Sequence, residues 1–167
     1  DRLSGDVVEA SRDNVGVSVQ HQGTWRRLAT TVGGRLERNA SFGTAAVPRV
    51  SAAYTVRQAS GLVGDTRLRG SAGLGIKEPT ILQSFSLSPY FRGNPTLRPE
   101  RSRALEVGIE QRLASDRLKI EAGWFDNRYR NIIGLRSTTG YFSEYANIGL
   151  TRARGARREM PPRHGPA

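Results

Sequence analysis

The feature that most constrains this chain is a two-residue alternation of apolar and polar positions, sustained over runs of about ten residues. From Thr66 to Lys77, Leu68, Gly70, Ala72, Leu74 and Ile76 share one parity, and Arg67, Arg69, Ser71, Gly73, Gly75 and Lys77 share the other. That period belongs to a strand with one apolar and one polar face. Arg103 to Leu113 repeats it, with Leu105, Val107, Ile109 and Leu113 set against Ala104, Glu106, Gly108, Glu110 and Arg112. Arg117 to Phe125 does so again through Leu118, Ile120, Ala122 and Trp124. Only Ala114-Ser115-Asp116 separates those two runs, which predicts a tight hairpin. Upstream, Asn14 to His21, Arg27 to Glu37 and Arg49 to Arg57 alternate in the same way, with a turn expected at Gln22-Gly23-Thr24. Weaker strands are expected at Ile132 to Ser137 and Tyr141 to Leu150. No convincing amphipathic helix is found, and the first dozen residues are ambiguous.

The expected connections alternate in length. Short ones fall at Gln22 to Thr24 and Ala114 to Asp116, and an intermediate one near Ala59 to Asp65. Long ones fall at Arg38 to Pro48, Glu78 to Pro99 and about Asn127 to Glu144. This describes an all-β, antiparallel up-and-down meander with turns at one end and loops at the other. A compact soluble domain seldom needs a loop of about twenty residues.

Composition narrows the choices further. The longest uncharged stretch, Pro79 to Phe91, is well short of the ~20 apolar residues of a membrane-spanning helix. The absence of Cys excludes disulfides, a thiolate nucleophile and Cys-based metal sites. The N-terminus, Asp1-Arg2-Leu3-Ser4-Gly5, reads as the interior of a longer chain. The net charge is +11, and of the 26 cations only Lys77 and Lys119 are Lys. Such an excess suits a nucleic-acid binder. Against that reading, the arginines are dispersed, and the densest run, Arg152, Arg154, Arg157, Arg158 and Arg163, lies in a tail without aromatic stacking residues.

Two architectures share this alternation. A soluble sandwich turns its apolar faces onto each other, whereas a transmembrane barrel turns them to lipid around a wet interior. Run length favours the barrel, since a tilted spanning strand needs ~9 to 11 residues and sandwich strands are commonly nearer ~5 to 6. The polar face, carrying Gly16, Gly33, Gly73, Gly75, Gly108, Gly123 and charges of both signs, suits a curved hydrated wall. Trp25, Tyr54 and Trp124 near strand ends suit interfacial girdles. The competing class is a soluble, basic, all-β module that binds polyanions.

A resemblance adds to this. Gly73-Leu74-Gly75-Ile76-Lys77-Glu78-Pro79, then Gly93-Asn94-Pro95-Thr96-Leu97-Arg98-Pro99-Glu100, then Glu106-Val107-Gly108-Ile109-Glu110 resemble the barrel of TonB-dependent outer-membrane receptors, with its loop motif Gly-Asn-Pro-x-Leu-x-Pro-Glu. Trp124-Phe125-Asp126-Asn127, Ile132-Ile133 and Tyr145-Ala146-Asn147-Ile148 are similar to later positions of that family. Residues 1–155 are expected to form part of such a barrel. Two departures stand out: Ile76 replaces the usual aromatic, and Ala156-Arg157-Arg158-Glu159 replaces the expected Val-Glu-x-Glu start. Residues 156–167, rich in Arg and Pro, are expected to be an irregular tail, natural or the product of a truncation or shifted frame.

The resemblance implies a Gram-negative outer-membrane importer of a scarce nutrient such as an iron chelate or cobalamin. It implies outer-membrane lipid around the barrel and, in a full-length protein only, a plug domain, TonB and a barrel of about 22 strands. No nucleic-acid partner and no cofactor are expected. Within the motif, Gly93, Asn94, Pro95, Leu97, Pro99 and Glu100 are expected to shape the loop, without touching ligand. Glu100 is expected to cap backbone donors or pair with Arg98, Arg101 or Arg103. No catalytic or metal-binding set emerges. His21 and His164 are far apart in sequence, and Glu106 and Glu110, about 13 Å apart along one strand, suit salt bridges to neighbouring strands better than acid/base work.

Overall fold

The computed structural model describes residues 13–39, 42–88, 90–114, 117–138 and 143–159. Its long strands are β1 (Asn14–Trp25), β2 (Leu28–Asn39), β3 (Gly43–Arg57), β4 (Val63–Lys77), β6 (Glu100–Leu113), β7 (Leu118–Ser137) and β8 (Ser143–Glu159), with a two-residue β5 (Phe91–Arg92) and a short helix α1 (Ile81–Phe85) between β4 and β6. They form one sheet in the order β1-β2-β3-β4-β6-β7-β8-β5. All the long pairs are antiparallel, and only β5 joins β8 in parallel. The expected meander is therefore present, as an unclosed sheet.

The alternation fixes the register. Leu68 lies opposite Ile109, which lies opposite Ala122, and Gly70, Val107 and Trp124 form the next row. On the other face Arg67 lies opposite Glu110, which lies opposite Glu121. A one-residue slip at any pair would exchange the two faces, so side-chain patterning specifies the register strongly.

Among the described residues no second layer covers the apolar face. Among the described residues only Leu97 and Ala146 are buried hydrophobics, while Val17, Val19 and Leu36 on that face are 70%, 74% and 56% exposed. A soluble sandwich would bury these side chains against a partner sheet. The polyanion-binding soluble module is therefore corrected: among the described residues nothing packs on the apolar face.

Several expected boundaries shift. The first turn is at Arg26-Arg27, with Trp25 opposite Leu28 and Arg26 at φ 52°, so Gln22-Gly23-Thr24 continue the ladder. The expected loop from Arg38 to Pro48 is mostly strand: Asn39 already pairs with Gly43. Pro48 is tolerated there because it flanks the β3–β4 register, which begins at Arg49, and one side of the strand is open at that point. The expected loop from Asn127 to Glu144 is replaced by extension of β7 to Ser137 and β8 from Ser143, so the weak strand at Ile132 belongs to β7. A bulge at Asn131, φ 57°, hid the continuity by resetting the parity. β8 also runs through Ala156 to Glu159, opposite Trp124 to Glu121, so these four residues are strand and not irregular tail. The ambiguous first dozen residues and the segment 160–167 lie outside the described residues. The helix α1 was not expected. Its signal is a capping box, in which Thr80 Oγ1 accepts from Gln83 N (3.1 Å) and Gln83 Oε1 accepts from Thr80 N (2.8 Å).

If the uncovered face meets hydrocarbon, Ile109→Arg in the complete barrel should lower stability in lipid vesicles by about 2–4 kcal/mol. Ser71→Arg on the opposite face should change it by much less. Denaturant titration of vesicle-inserted protein measures both, and equal penalties would contradict the assignment of faces.

Candidate functional site

Two parts of the sheet carry the polar chemistry: the wall opposite the apolar face, and the long connection between β4 and β6. The wall carries charges of both signs, cross-paired between strands. Glu110 of β6 is buried and receives Arg69 of β4 at 3.9 Å, Lys119 of β7 at 3.6 Å and Arg112 of its own strand at 3.1 Å. Arg69 also binds Glu121 of β7 at 2.6 Å, and Lys119 pairs with Glu121 as well. Salt bridges from Glu110 to neighbouring strands are thus observed. The cationic partners are a third to a half exposed, so each pair adds little stability. Together they fix the direction in which long side chains point across the wall. A groove of about 510 Å³ runs along this face, with Thr31, Ser51, Arg69, Ser71, Glu106 and Arg157 in its lining.

At the loop end of the same face, Asn14 Nδ2 donates to Glu37 Oε1 (2.5 Å) and Glu78 Oε1 (3.1 Å). Asn39 Nδ2 donates to Glu78 Oε2 (2.8 Å), and Arg35 pairs with Glu37 at 3.2 Å. The start of the long connection is thereby held to β1 and β2.

The expected motif residues gather at the other end of that connection. Gly93 N donates to the Ser86 carbonyl (2.8 Å), and a Cβ at Gly93 would overlap the backbone nitrogens of Ser86 and Phe85, so only glycine fits. Asn94 N donates to the Gln83 carbonyl (2.8 Å), and its Oδ1 accepts from Thr96 N (2.9 Å) and Thr96 Oγ1 (2.6 Å). That is an Asx turn, into which Pro95 fits without the loss of a donor. Asn94 Nδ2 reaches across to the Tyr145 carbonyl of β8 (3.0 Å). Leu97 and Pro99 are buried. Glu100 Oε1 accepts from Ile133 N (2.9 Å), and its other oxygen pairs with Lys77 at 3.4 Å. Capping of a backbone donor, one of the two roles expected of Glu100, is therefore seen; the salt-bridge partner is Lys77, in place of the expected arginines.

Asn147 completes the arrangement. Its Oδ1 accepts from Arg98 N (2.9 Å) while its Nδ2 donates to the Arg98 carbonyl (2.9 Å) and the Asn131 carbonyl (2.8 Å). Glu100 and Asn147 thus satisfy backbone groups that the Asn131 bulge removes from the ladder. Sequence reasoning named Asn147 but had no means of pairing it with Arg98, because the contact spans 49 positions. Phe91 meets Tyr145 edge-to-face with ring centroids 5.8 Å apart. Among the described residues no group of three or more His, Cys, Asp or Glu could hold a metal ion.

Residues 4–156 match the family described as TonB dependent receptor-like, beta-barrel. The chain belongs to the TonB-dependent receptor family. This is a family of receptors and transporters of the Gram-negative outer membrane, not of enzymes, and the uncovered apolar face is accordingly the lipid-facing side of a barrel. Solved structures agree on the fold. The siderophore receptor PirA from Pseudomonas aeruginosa is 21% identical with a TM-score of 0.77, over 89% of this chain and 28% of that one. PirA from Acinetobacter baumannii is 15% identical with a TM-score of 0.72, over 89% and 25%. The ferric enterobactin receptor PfeA from Pseudomonas aeruginosa is 18% identical with a TM-score of 0.71, over 90% and 24%. The chain thus spans about a quarter of the length of these receptors. A comparison with curated protein sequences found no match.

Asn147→Ala removes three hydrogen bonds, two that tie the TonB-dependent receptor loop at Arg98 to its wall and one to the Asn131 carbonyl of β7, worth together about 1.5–4.5 kcal/mol at ~0.5–1.5 each. Hydrogen exchange in residues 93–99 should accelerate, with exchange in β2 and β3 unchanged. Uniform acceleration in all strands would show that the residue stabilises the whole sheet.

Proposed function

We propose that this chain supplies part of the wall and outer loops of an importer that takes up a scarce nutrient, an iron chelate in the first instance and cobalamin or a similar ligand otherwise. The observation that carries the reading is the family match over nearly the whole chain. The names of its structural neighbours support the ligand class, since they include siderophore receptors and a receptor solved in complex with enterobactin. The fold also serves a peptide importer, RagAB, so the ligand rests on the loops and not on the architecture.

In this reading a complete protein holds a plug domain inside the barrel, against the wall that carries Arg69, Glu110 and Glu121. TonB couples it to the inner membrane, and no chemistry occurs in the wall itself. The connection from Glu78 to Pro99 faces outward and forms part of the ligand entrance. The motif Gly93, Asn94, Pro95, Leu97, Pro99 and Glu100 shapes that entrance without touching ligand: its polar atoms are engaged with backbone of the same loop and of β7 and β8. The side chains left for ligand are those at the rim, including Tyr90 at 76% exposure and Leu87 at 65%.

Uptake of radioactive iron supplied as a ferric siderophore, by iron-starved cells carrying the complete receptor, tests this. Uptake should require TonB and fall when Tyr90 and Leu87 are both replaced by Ser, while Thr96→Ala leaves it within about twofold. Iron-independent growth together with uptake of cobalamin or peptides would replace the ligand class and leave the fold assignment standing.

A further inference from the structure

Two carboxyl groups meet at the start of the long connection, where like charges would be expected to keep apart. Glu37 of β2 is buried, and its side chain is hydrogen-bonded directly to that of Glu78, the first residue after β4. Asn14 of β1 bridges the two, since its Nδ2 donates to an oxygen of each (2.5 and 3.1 Å). Asn39 Nδ2 donates to the second oxygen of Glu78 (2.8 Å). A hydrogen bond between two carboxyl groups needs a donor, and an ionised carboxylate has none. The direct contact therefore exists only while the pair holds at least one proton.

The surroundings supply too little positive charge to replace that proton. Arg35 of β2 pairs with Glu37 at 3.2 Å, and its side chain is half exposed. Lys77 of β4 is turned to Glu100 of β6 at 3.4 Å. The facing residues of β1 (14–20) and of β3 (43–48) carry no titratable side chain, and Asp13, exposed before β1, adds a further negative charge. Arg38 of β2 and Arg101 of β6 have the parity of the opposite face. Arg92 and Arg98, on the connection itself, lie at its far end against β8. With both carboxyls ionised, two negative charges would stand together beside one half-exposed guanidinium.

The other end of the connection is anchored without titratable partners. There Asn94 reaches the Tyr145 carbonyl, and Asn147 clasps both backbone groups of Arg98. Between the anchors, Pro79 restricts the backbone after Glu78 and Thr80 caps α1, whose Gln83 and Ser86 carbonyls accept from Asn94 and Gly93. The helix is thus stitched to the far anchor, and the Glu78 end depends on a proton. We propose that Glu37 and Glu78 form a proton-operated latch, which holds the start of the 78–99 connection against β1 and β2 while a proton is shared and lets it go when that proton leaves. Carboxyl groups that share one site lose their protons in two separate steps, the second displaced upward by the charge already present. The latch is therefore closed at acid pH and opens as pH rises through that second step. Its bearing on ligand entry rests on the outward placement proposed for this connection; the latch itself does not.

Pulsed dipolar electron resonance on the complete receptor in detergent micelles, with spin labels at Leu82 of α1 and Thr44 of β3, tests this without any ligand. The distance distribution should be narrow at about pH 5 and at least about twice as wide at about pH 9, and equal widths would overturn the proposal. Glu78→Gln supplies a permanent amide donor in place of the shared proton, so its distribution should stay narrow at both pH values. Glu78→Ala should be wide at both. A full pH response in Glu78→Gln, or narrow distributions in Glu78→Ala, would place the titrating group elsewhere and overturn the latch. Lys77→Met should keep the original response, and its loss would assign the response to the Lys77 and Glu100 pair instead. Addition of 10 mM EDTA should leave the narrow distribution unchanged; widening would show that a divalent cation, and not a proton, joins the carboxyls. The two readings fail separately. If the pH response is absent while uptake of ferric siderophore still requires TonB, only the latch is lost; a response without such uptake keeps the latch and removes the importer reading.

Discussion

The structure depends on the backbone hydrogen-bond ladder, because little else in this chain could hold it together. With two buried hydrophobic residues among those described, there is almost no core. The usual chief driving force of folding, removal of apolar surface from water into a protein interior, is transferred to the surroundings: the apolar face finds its non-aqueous phase in lipid. In that phase an unpaired N–H or C=O costs several kcal/mol. The sheet must therefore be long enough to cross and regularly paired. The strands of 12 to 20 residues are a consequence of the same constraint.

Interruptions of the ladder are informative for that reason. The bulge at Asn131 frees the Ile133 N–H and the Asn131 carbonyl, and each is met by a side chain from elsewhere, Glu100 and Asn147. Asn147 simultaneously clasps both backbone groups of Arg98. The Gly-Asn-Pro-x-Leu-x-Pro-Glu motif and the Tyr-x-Asn motif are thus two halves of one junction, which returns a 22-residue connection to a defined position on the wall. Loop placement and strand repair are accomplished by the same few hydrogen bonds.

How much of this was legible depended on the range of the signal. The faces of β4, β6 and the first half of β7 were plain because Leu68 to Ile76, Leu105 to Ile109 and Leu118 to Trp124 alternate without interruption. The outer half of β7 was not, because one residue in a left-handed conformation at Asn131 shifts the parity and makes a continuous strand read as strand, loop and strand. Gly23 and Pro48 misled for a different reason: turn-forming residues are read as breakers, yet the register of flanking residues carries the ladder straight through them. Partnerships such as Asn147 with Arg98 had no local signature. Spacing shows that polar residues are available and says nothing about which of them meet.

The two faces also handle charge by different rules, and the contrast follows from their surroundings. On the wet wall both signs occur, Glu110 and Glu121 standing among Arg69, Arg112 and Lys119, and exposed cations cost little there because water screens them. On the lipid-facing side a comparable mixture would have to satisfy itself at low dielectric, and only Asp126 with Arg152 and Arg128 does so. The remaining arginines of that side, all of one sign, cannot neutralise one another by any rotamer change. Arg101, Arg103 and Arg130 lie toward the loops, beyond the run of Leu105, Val107 and Ile109, whereas Arg158 lies in the row of Ile109 and Ala122, so the same register that builds the apolar surface also places cations beside it. Side chains of that sign at the margin of a hydrocarbon band lay their stems along the apolar surface and keep their guanidinium groups in water, so one register serves both the apolar run and its charged border.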